Sequence, residues 1–314
     1  MELRYDHGMR KLIKIPVLAL ISVSMLAGCA FSDPRIEATP PVGPSVSDDY
    51  AQVADDVHTA WAAIVGLATA SSDQRYTDMS ETLASQWYVL VGPDPLHRIP
   101  AAGATLGDPS PNSGDETTTA DTALASARDK ALSQATSSTG LETAFWAGLA
   151  AGIEQVRLGL TGSYAPATMP DPTVTITIMD EKTSLSNLVS RYDEGIFALR
   201  SAMGFLDPYD AAQSTFRNVL ACLQTDLATL TEMSVSAGAT PTPPGIYELP
   251  PGRDHDAAMA LLARTQKSLT EASLVWAASA DDPAQAVPYV MSNATLAMGY
   301  GLGTAAWPGW PDLL

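Results

Sequence analysis

Two cysteines and 17 basic side chains are thinly spread through a chain of 314 residues that carries 35 acidic ones. Each scarcity excludes something. Two thiols cannot build a disulfide scaffold. A formal net charge of −18 repels phosphate backbones, so nucleic acid is excluded as a partner. Hydrolase signatures are missing: there is no Gly-x-Ser-x-Gly elbow and no histidine beside a nucleophile. The apolar run at 15–26 is too short to span a bilayer as a stable helix. What is present is 46% hydrophobic and 17% charged residues, enough to bury a core and too apolar for disorder throughout.

The first thirty residues carry an address. Arg10, Lys11 and Lys14 precede the apolar run, and small residues follow it, which is the layout of an export signal. The run ends in Leu26-Ala27-Gly28-Cys29, which resembles the lipobox of bacterial lipoproteins. That resemblance implies removal of residues 1–28 and acylation of the Cys29 thiol. The mature chain would keep 13 basic against 33 acidic side chains, so the acyl chains and not electrostatics would hold it to a membrane. Glu2 and Asp6, out of place in a positive leader, and a second methionine at Met9 before Arg10-Lys11 leave the true start at Met1 or Met9. Cys222 would then be the sole free thiol, and its neighbours Ala221 and Leu223 point to a small buried hydrophobe.

Residues 29–47 hold Pro34, Pro40, Pro41, Gly43 and Pro44 and read as a flexible tether. Helical periodicity then takes over. Asp48 opens a stripe of Val53, Val57, Trp61, Ile64 and Leu67, and a second stripe carries Met79, Leu83, Trp87 and Leu90. Proline- and glycine-rich residues 100–114 form a loop, after which helices are expected near 116–134 and 139–160. The last of these contains Gly148-Leu-Ala-Ala-Gly152, a small-residue face that invites the close approach of another helix. A break at 162–172 ends an N-terminal helical domain, 48–162. Alternation at 174–178 suggests an extended connector.

Residues 173–310 are expected to form a four-helix bundle. Leu185, Leu188, Val189, Tyr192, Ile196, Leu199 and Met203 make its first stripe. Phe216, Val219, Leu223, Leu227, Leu230 and Met233 make the second, with Gly238 as terminator. Asp207-Pro208 and Asp282-Pro283 each pair a cap with a first-turn proline, and Asp254 can open the third helix. The fourth carries Val287, Met291, Ala294 and Met298. The five prolines between 240 and 252 imply a crossover connection.

Leu188-Val189 leading into Tyr192-Asp193, the stretch Ile246-Tyr247-Glu248-Leu249-Pro250, and the ending Ala306-Trp307-Pro308-Gly309-Trp310 are the residues on which 185–310 resembles an uncharacterised actinobacterial ferritin-like family of exported proteins. The resemblance implies a bundle. Tyr192-Asp193 stand where that family commonly has Glu-His, and Ala221, Cys222, Leu223, Gln224 and Thr225 replace its basic cluster, with Asp226 retained. A di-metal centre of the ferritin type needs Glu-x-x-His pairs, and the chain contains none. His58, His97 and His255 sit singly as surface or capping residues, while Glu154, Asp193, Asp226 and Glu271 are the carboxylates available to a degenerate site. Gly299-Tyr-Gly301-Leu-Gly303 follows a helix rather than a strand, which speaks for helix ending and not phosphate cradling.

The fold expected is therefore all-α, with two helical bundles, the C-terminal one a ferritin-like four-helix bundle. The function expected is that of an exported protein anchored through Cys29 to the outer face of the cytoplasmic membrane. It would be a non-enzymatic binding or scaffold component without cofactor, open to a protein partner in the cell envelope. A degenerate ferritin-like metal or redox protein and a carrier of an apolar ligand are the alternatives. Trp307 and Trp310, flanking Pro308-Gly309, are the candidate contact surface, with docking of the tail onto the bundle as the competing explanation.

Overall fold

Among the described residues, the three- and four-residue spacing of apolar side chains becomes eight α-helices. In chain order they are α1 (Asp48–Ala70), α2 (Gln74–Leu90), α3 (Glu116–Ser137), α4 (Leu141–Gly159), α5 (Glu181–Met203), α6 (Ala212–Ser236), α7 (His255–Ser279) and α8 (Pro283–Gly299). The structure is a computed structural model that describes residues 47–99, 109–110, 114–162, 164, 167, 174–239, 252–299 and 305–310. The signal, Cys29, the tether up to residue 46, most of the proline-rich stretches at 100–114, 162–172 and 240–252, and Gly301 and Gly303 lie outside the described residues. Among the described residues the chain is all-helical. One isolated antiparallel bridge, Asp94 with Ile99, closes the turn after α2.

Aspartates start most of these helices. Asp73, Asp115, Asp180 and Asp254 accept from the backbone N–H of Arg75, Thr118, Thr183 and Ala257, satisfying donors that the first turn leaves orphaned. Asp282 does the same for Ala284 at the start of α8, one residue before Pro283. Asp48 lies inside α1, where Ser47 is the capping position and makes no side-chain bond. Asp207-Pro208 does not begin a helix. Asp207 accepts from Tyr209 N–H and its carbonyl from Asp210 N–H, which makes a turn, and Asp210 then supplies the carboxylate for Ala212 N–H at the start of α6. Gly238, at φ +74°, ends α6 as expected, and Ala239 N–H reaches back to Ser234 O at 2.9 Å.

Helix α4 is the central element. It is buried without interruption from Thr143 to Val156, the pattern of a helix enclosed on all sides. It packs against α2, α3, α7 and α8, while α1 packs on α2 and α3, α5 on α6 and α7, and α7 on α8. Buried apolar side chains from before and after the 162–172 stretch belong to one cluster, and all described residues fall in one compact unit.

The small-residue face of α4 receives the C-terminal segment and not a helix. A Cβ on Gly152 would stand 2.3 Å from Ala306 O, and one on Gly148 would stand 3.2 Å from Trp307 Cδ1. Gln86 Nε2 donates to Ala306 O at 2.9 Å, and Ala305 N–H donates to Gln155 Oε1 at 3.2 Å, so the segment is held by polar bonds as well as by packing. Trp307 and Trp310 are 0% and 3% exposed. That removes both from any contact surface: the tail is docked and its indoles are core. Trp310 Nε1 and Arg98 Nη2 both donate to Val174 O, at 3.0 and 2.9 Å, and the Arg98 guanidinium lies 3.7 Å over the Trp310 ring. The 174–178 alternation is thus extended and unpaired by any strand, held through its first carbonyl and by burial of Ile176.

Candidate functional site

Helix α6 has a narrow buried stripe, Phe216, Val219, Leu223 and Leu230, and all of it serves the contact with α5. No Cα of α6 comes within 8 Å of one of α8. The result is an open trough of about 400 Å³ between them, lined on one side by Ala221, Cys222, Thr225 and Asp226 and on the other by Ser292 and Leu296. The i,i+4 pairs 221/225, 222/226 and 292/296 explain this composition, because each pair shares one face of its helix. Cys222 is exposed at this trough, which corrects the expectation of a buried thiol: α6 turns the 219/223 side of its surface to α5 and leaves 221 and 222 outside.

Behind the trough lies a buried chain of hydrogen bonds contributed by α5, α7 and α8. Ser273 Oγ donates to Leu269 O at 2.7 Å and accepts from Asn293 Nδ2 at 2.9 Å. The other proton of that amide goes to Tyr192 Oη at 3.0 Å. The Tyr192 hydroxyl can donate back to Asn293 Oδ1 at 3.4 Å, and it lies near enough to the Asp226 carboxylate to favour that group's charged form. Tyr192, Ser273 and Asn293 are fully buried, and in such surroundings a polar group is tolerated when its bonds are made.

Asn293 both donates to the Tyr192 hydroxyl through Nδ2 and accepts from it through Oδ1, and the Asp226 carboxylate stands beside this pair where it lines the trough. Burial pushes the Asp226 carboxyl above the usual carboxylate range, and the Tyr192 hydrogen bond offsets part of that rise. Burial also raises Tyr192, against a lowering by its Asn293 bond, and so keeps the phenol protonated as a donor. Tyr289 is raised by burial and by the nearby Asp226 charge, and its ring lies 5.4 Å from that of Trp276.

The other carboxylates singled out in the sequence do not join Asp226. Glu154 sits between α3 and α4, 2.8 Å from both Arg128 and Arg157, and Arg157 continues to Asp121 at 3.1 Å. Burial would raise the Glu154 carboxyl, but bonds from Arg157 and Arg128 outweigh it and hold it below the ordinary value. Glu271 lies 3.9 Å from Lys267 on α7, and Asp193 is half-buried on α5. His97 and His255 bond to Asp94 and Asp210, at 2.8 and 2.9 Å, and exposed His58 meets Trp61 edge-on and Trp87 at a tilt. Among the described residues no group of three or more His, Cys, Asp or Glu side chains could hold a metal ion.

Asn293 and Ser273 escaped the sequence reading. Their signal is polarity inside an apolar stripe: Asn293 follows Val290 by three, and Ser273 follows Leu269 by four. Searching the apolar stripes for interruptions by hydrogen-bonding residues would have found both. No family model matches the chain, and no curated protein or solved structure matches it significantly.

Proposed function

We propose that the protein is an exported, lipid-anchored and non-enzymatic binding component of the cell envelope. Its helical body takes a small ligand bearing a positive charge or a hydrogen-bond donor in the trough between α6 and α8. On this reading α5–α8 form a ferritin-like four-helix bundle left open along one side, with a polar relay in place of metal ligands. The observation that carries the proposal is Asp226, a half-buried carboxylate with the Tyr192 hydroxyl behind it and an open trough before it. A positioned carboxylate in a partly desolvated recess favours a cation or donor over an anion. The Leu26-Ala27-Gly28-Cys29 motif supports the anchor.

Two measurements test the two halves of this reading. Cys29→Ser is expected to release the protein from membranes and block signal processing; equal membrane retention and processing in the variant rejects the lipid anchor. Screening primary amines and guanidinium compounds against the purified protein by calorimetry is expected to give saturable binding that Asp226→Ala abolishes. Equal binding by the variant rejects the trough as the site.

A further inference from the structure

A second recess runs between α5 and α7, and its chemistry is the reverse of the trough's. Gly195 on α5 lets the two helices approach until Thr265 Cγ2 stands 3.0 Å from where a Gly195 Cβ would be. The groove that this leaves has a volume of about 310 Å³. Arg191 and Glu194 line it from α5, and Arg264, Thr265 and Ser268 from α7.

Four of these five residues bring donors. Arg191 holds Glu194 at 2.7 Å, using one arm of its guanidinium and occupying the one carboxylate in the groove. Arg264 makes no ion pair or hydrogen bond with any described residue, in a chain where acidic side chains outnumber basic ones two to one. Thr265 is 7% exposed as a whole, and its hydroxyl, which makes no hydrogen bond to a described residue, is not one of the atoms sealed from solvent. A helical threonine ordinarily donates to the carbonyl four residues back, as Thr270 does to Gln266 O at 2.8 Å. With the Thr265 methyl fixed against Gly195, the hydroxyl occupies the other branch of a stiff Cβ. The Ser268 hydroxyl, one turn from Arg264, has no partner among the described residues either. Hydroxyls that line the groove without a described partner are free to donate to a bound group, and a guanidinium without a carboxylate is unusual on so acidic a surface.

We infer that this groove binds a phosphate-type oxyanion, received by the Arg264 and Arg191 guanidinium groups and by the hydroxyls of Thr265 and Ser268. Arginine forks match the tetrahedral oxygens, and the two hydroxyls supply short neutral donors at the floor. With Glu194 counted, the groove carries one net positive charge, which suits a singly charged phosphate group, either free or as a phosphodiester headgroup. The site shares no residue with the α6–α8 trough, so its test is independent of the function proposed above.

The test is titration of the full-length protein, at constant ionic strength, with inorganic phosphate, with dimethyl phosphate as a soluble diester, and with chloride. Binding is followed by NMR at the backbone amides of Thr265 and Ser268. Phosphate or the diester is expected to give saturable shifts that chloride does not. Arg264→Ala should weaken binding by about tenfold or more, the loss that follows removal of charge-assisted hydrogen bonds. Thr265→Val, which keeps the shape and removes the hydroxyl, should weaken it by a smaller factor. Preference for the diester assigns a headgroup, and preference for phosphate assigns the free anion. Shifts that do not saturate, that chloride reproduces, or that persist unchanged in Arg264→Ala overturn the inference. Because Arg264 is exposed, an unaltered melting temperature should confirm that its variant is folded.

Discussion

Replacing Gly152 by alanine sets two effects of similar size against each other, and the structure decides between them. In the interior of a helix the change favours α4 by about 1 kcal/mol through backbone entropy. Against that, the new Cβ would lie 2.3 Å from Ala306 O, 3.0 Å from Ala306 C and 2.8 Å from Gln86 Nε2. The first two are backbone atoms of a segment tied down by Gln86, Gln155 and two buried indoles, so no rotamer change relieves the clash. Overpacking of this kind costs about 1–3 kcal/mol. Shifting the segment also breaks the Gln86 bond to a buried carbonyl, at about 1–3 kcal/mol. Net destabilisation of about 2 kcal/mol follows, or a melting temperature lower by about 4–8 °C at roughly 2–4 °C per kcal/mol. Gly148→Ala is the matched control. Its Cβ would meet a side-chain atom, Trp307 Cδ1, at 3.2 Å, and the helix gain should leave stability within about 1 kcal/mol of the parent. Thermal denaturation by circular dichroism, with tryptophan emission recorded on the native protein, reads both variants. A Gly152→Ala protein as stable as the parent, with unshifted emission, would refute the reasoning.

Two further outcomes follow from the buried polar groups. Burial raises the folded-state affinity of Asp226 for its proton, so the folded protein holds that proton more tightly than the unfolded chain does. Stability from this group is therefore fully present below the ordinary aspartate value and is lost as pH rises through the raised folded value. Asp226→Asn should accordingly raise the neutral-pH melting temperature relative to the parent, with the difference closing on acidification; a parallel pH profile in the two proteins contradicts it. Arg98→Ala removes a guanidinium stacked 3.7 Å over Trp310 and bonded to Val174 O, and should cost about 2–4 kcal/mol with a red shift of tryptophan emission. Unchanged urea denaturation would show that the three segments hold together without it.

Helix positions were legible because two strong local signals, apolar spacing and aspartate caps, coincide at most of their starts. Asp254, Asp282-Pro283 and Gly238 act where the sequence places them. Asp207-Pro208 carries the same signal as Asp282-Pro283 and yet makes a turn, because a second aspartate three residues on takes over the capping. Contacts between distant segments were not legible. Gly148 and Gly152 announce close approach without saying by what, and the non-helical segment around Ala306 and Trp307 fits that face as well as a helix would. Cys222 beside Leu223 reads as core until the direction of α6 against α5 is known, since a rotation of one position along a helix moves a side chain by about 100°. The Tyr192–Asn293–Ser273 chain depends on three helices being brought to one point, which no window of local sequence contains.

The docked tail also bears on the order of assembly. Gln86 and Gln155 find their partners 220 and 150 residues further along the chain. Contacts so remote in sequence carry a large loop-closure cost and form late. Until they do, the glycine face of α4 stands bare, a sticky surface in an otherwise assembled intermediate. A chain released before Trp307 and Trp310 would keep its helices but lack their closing piece, and would be the form most exposed to proteases and to self-association.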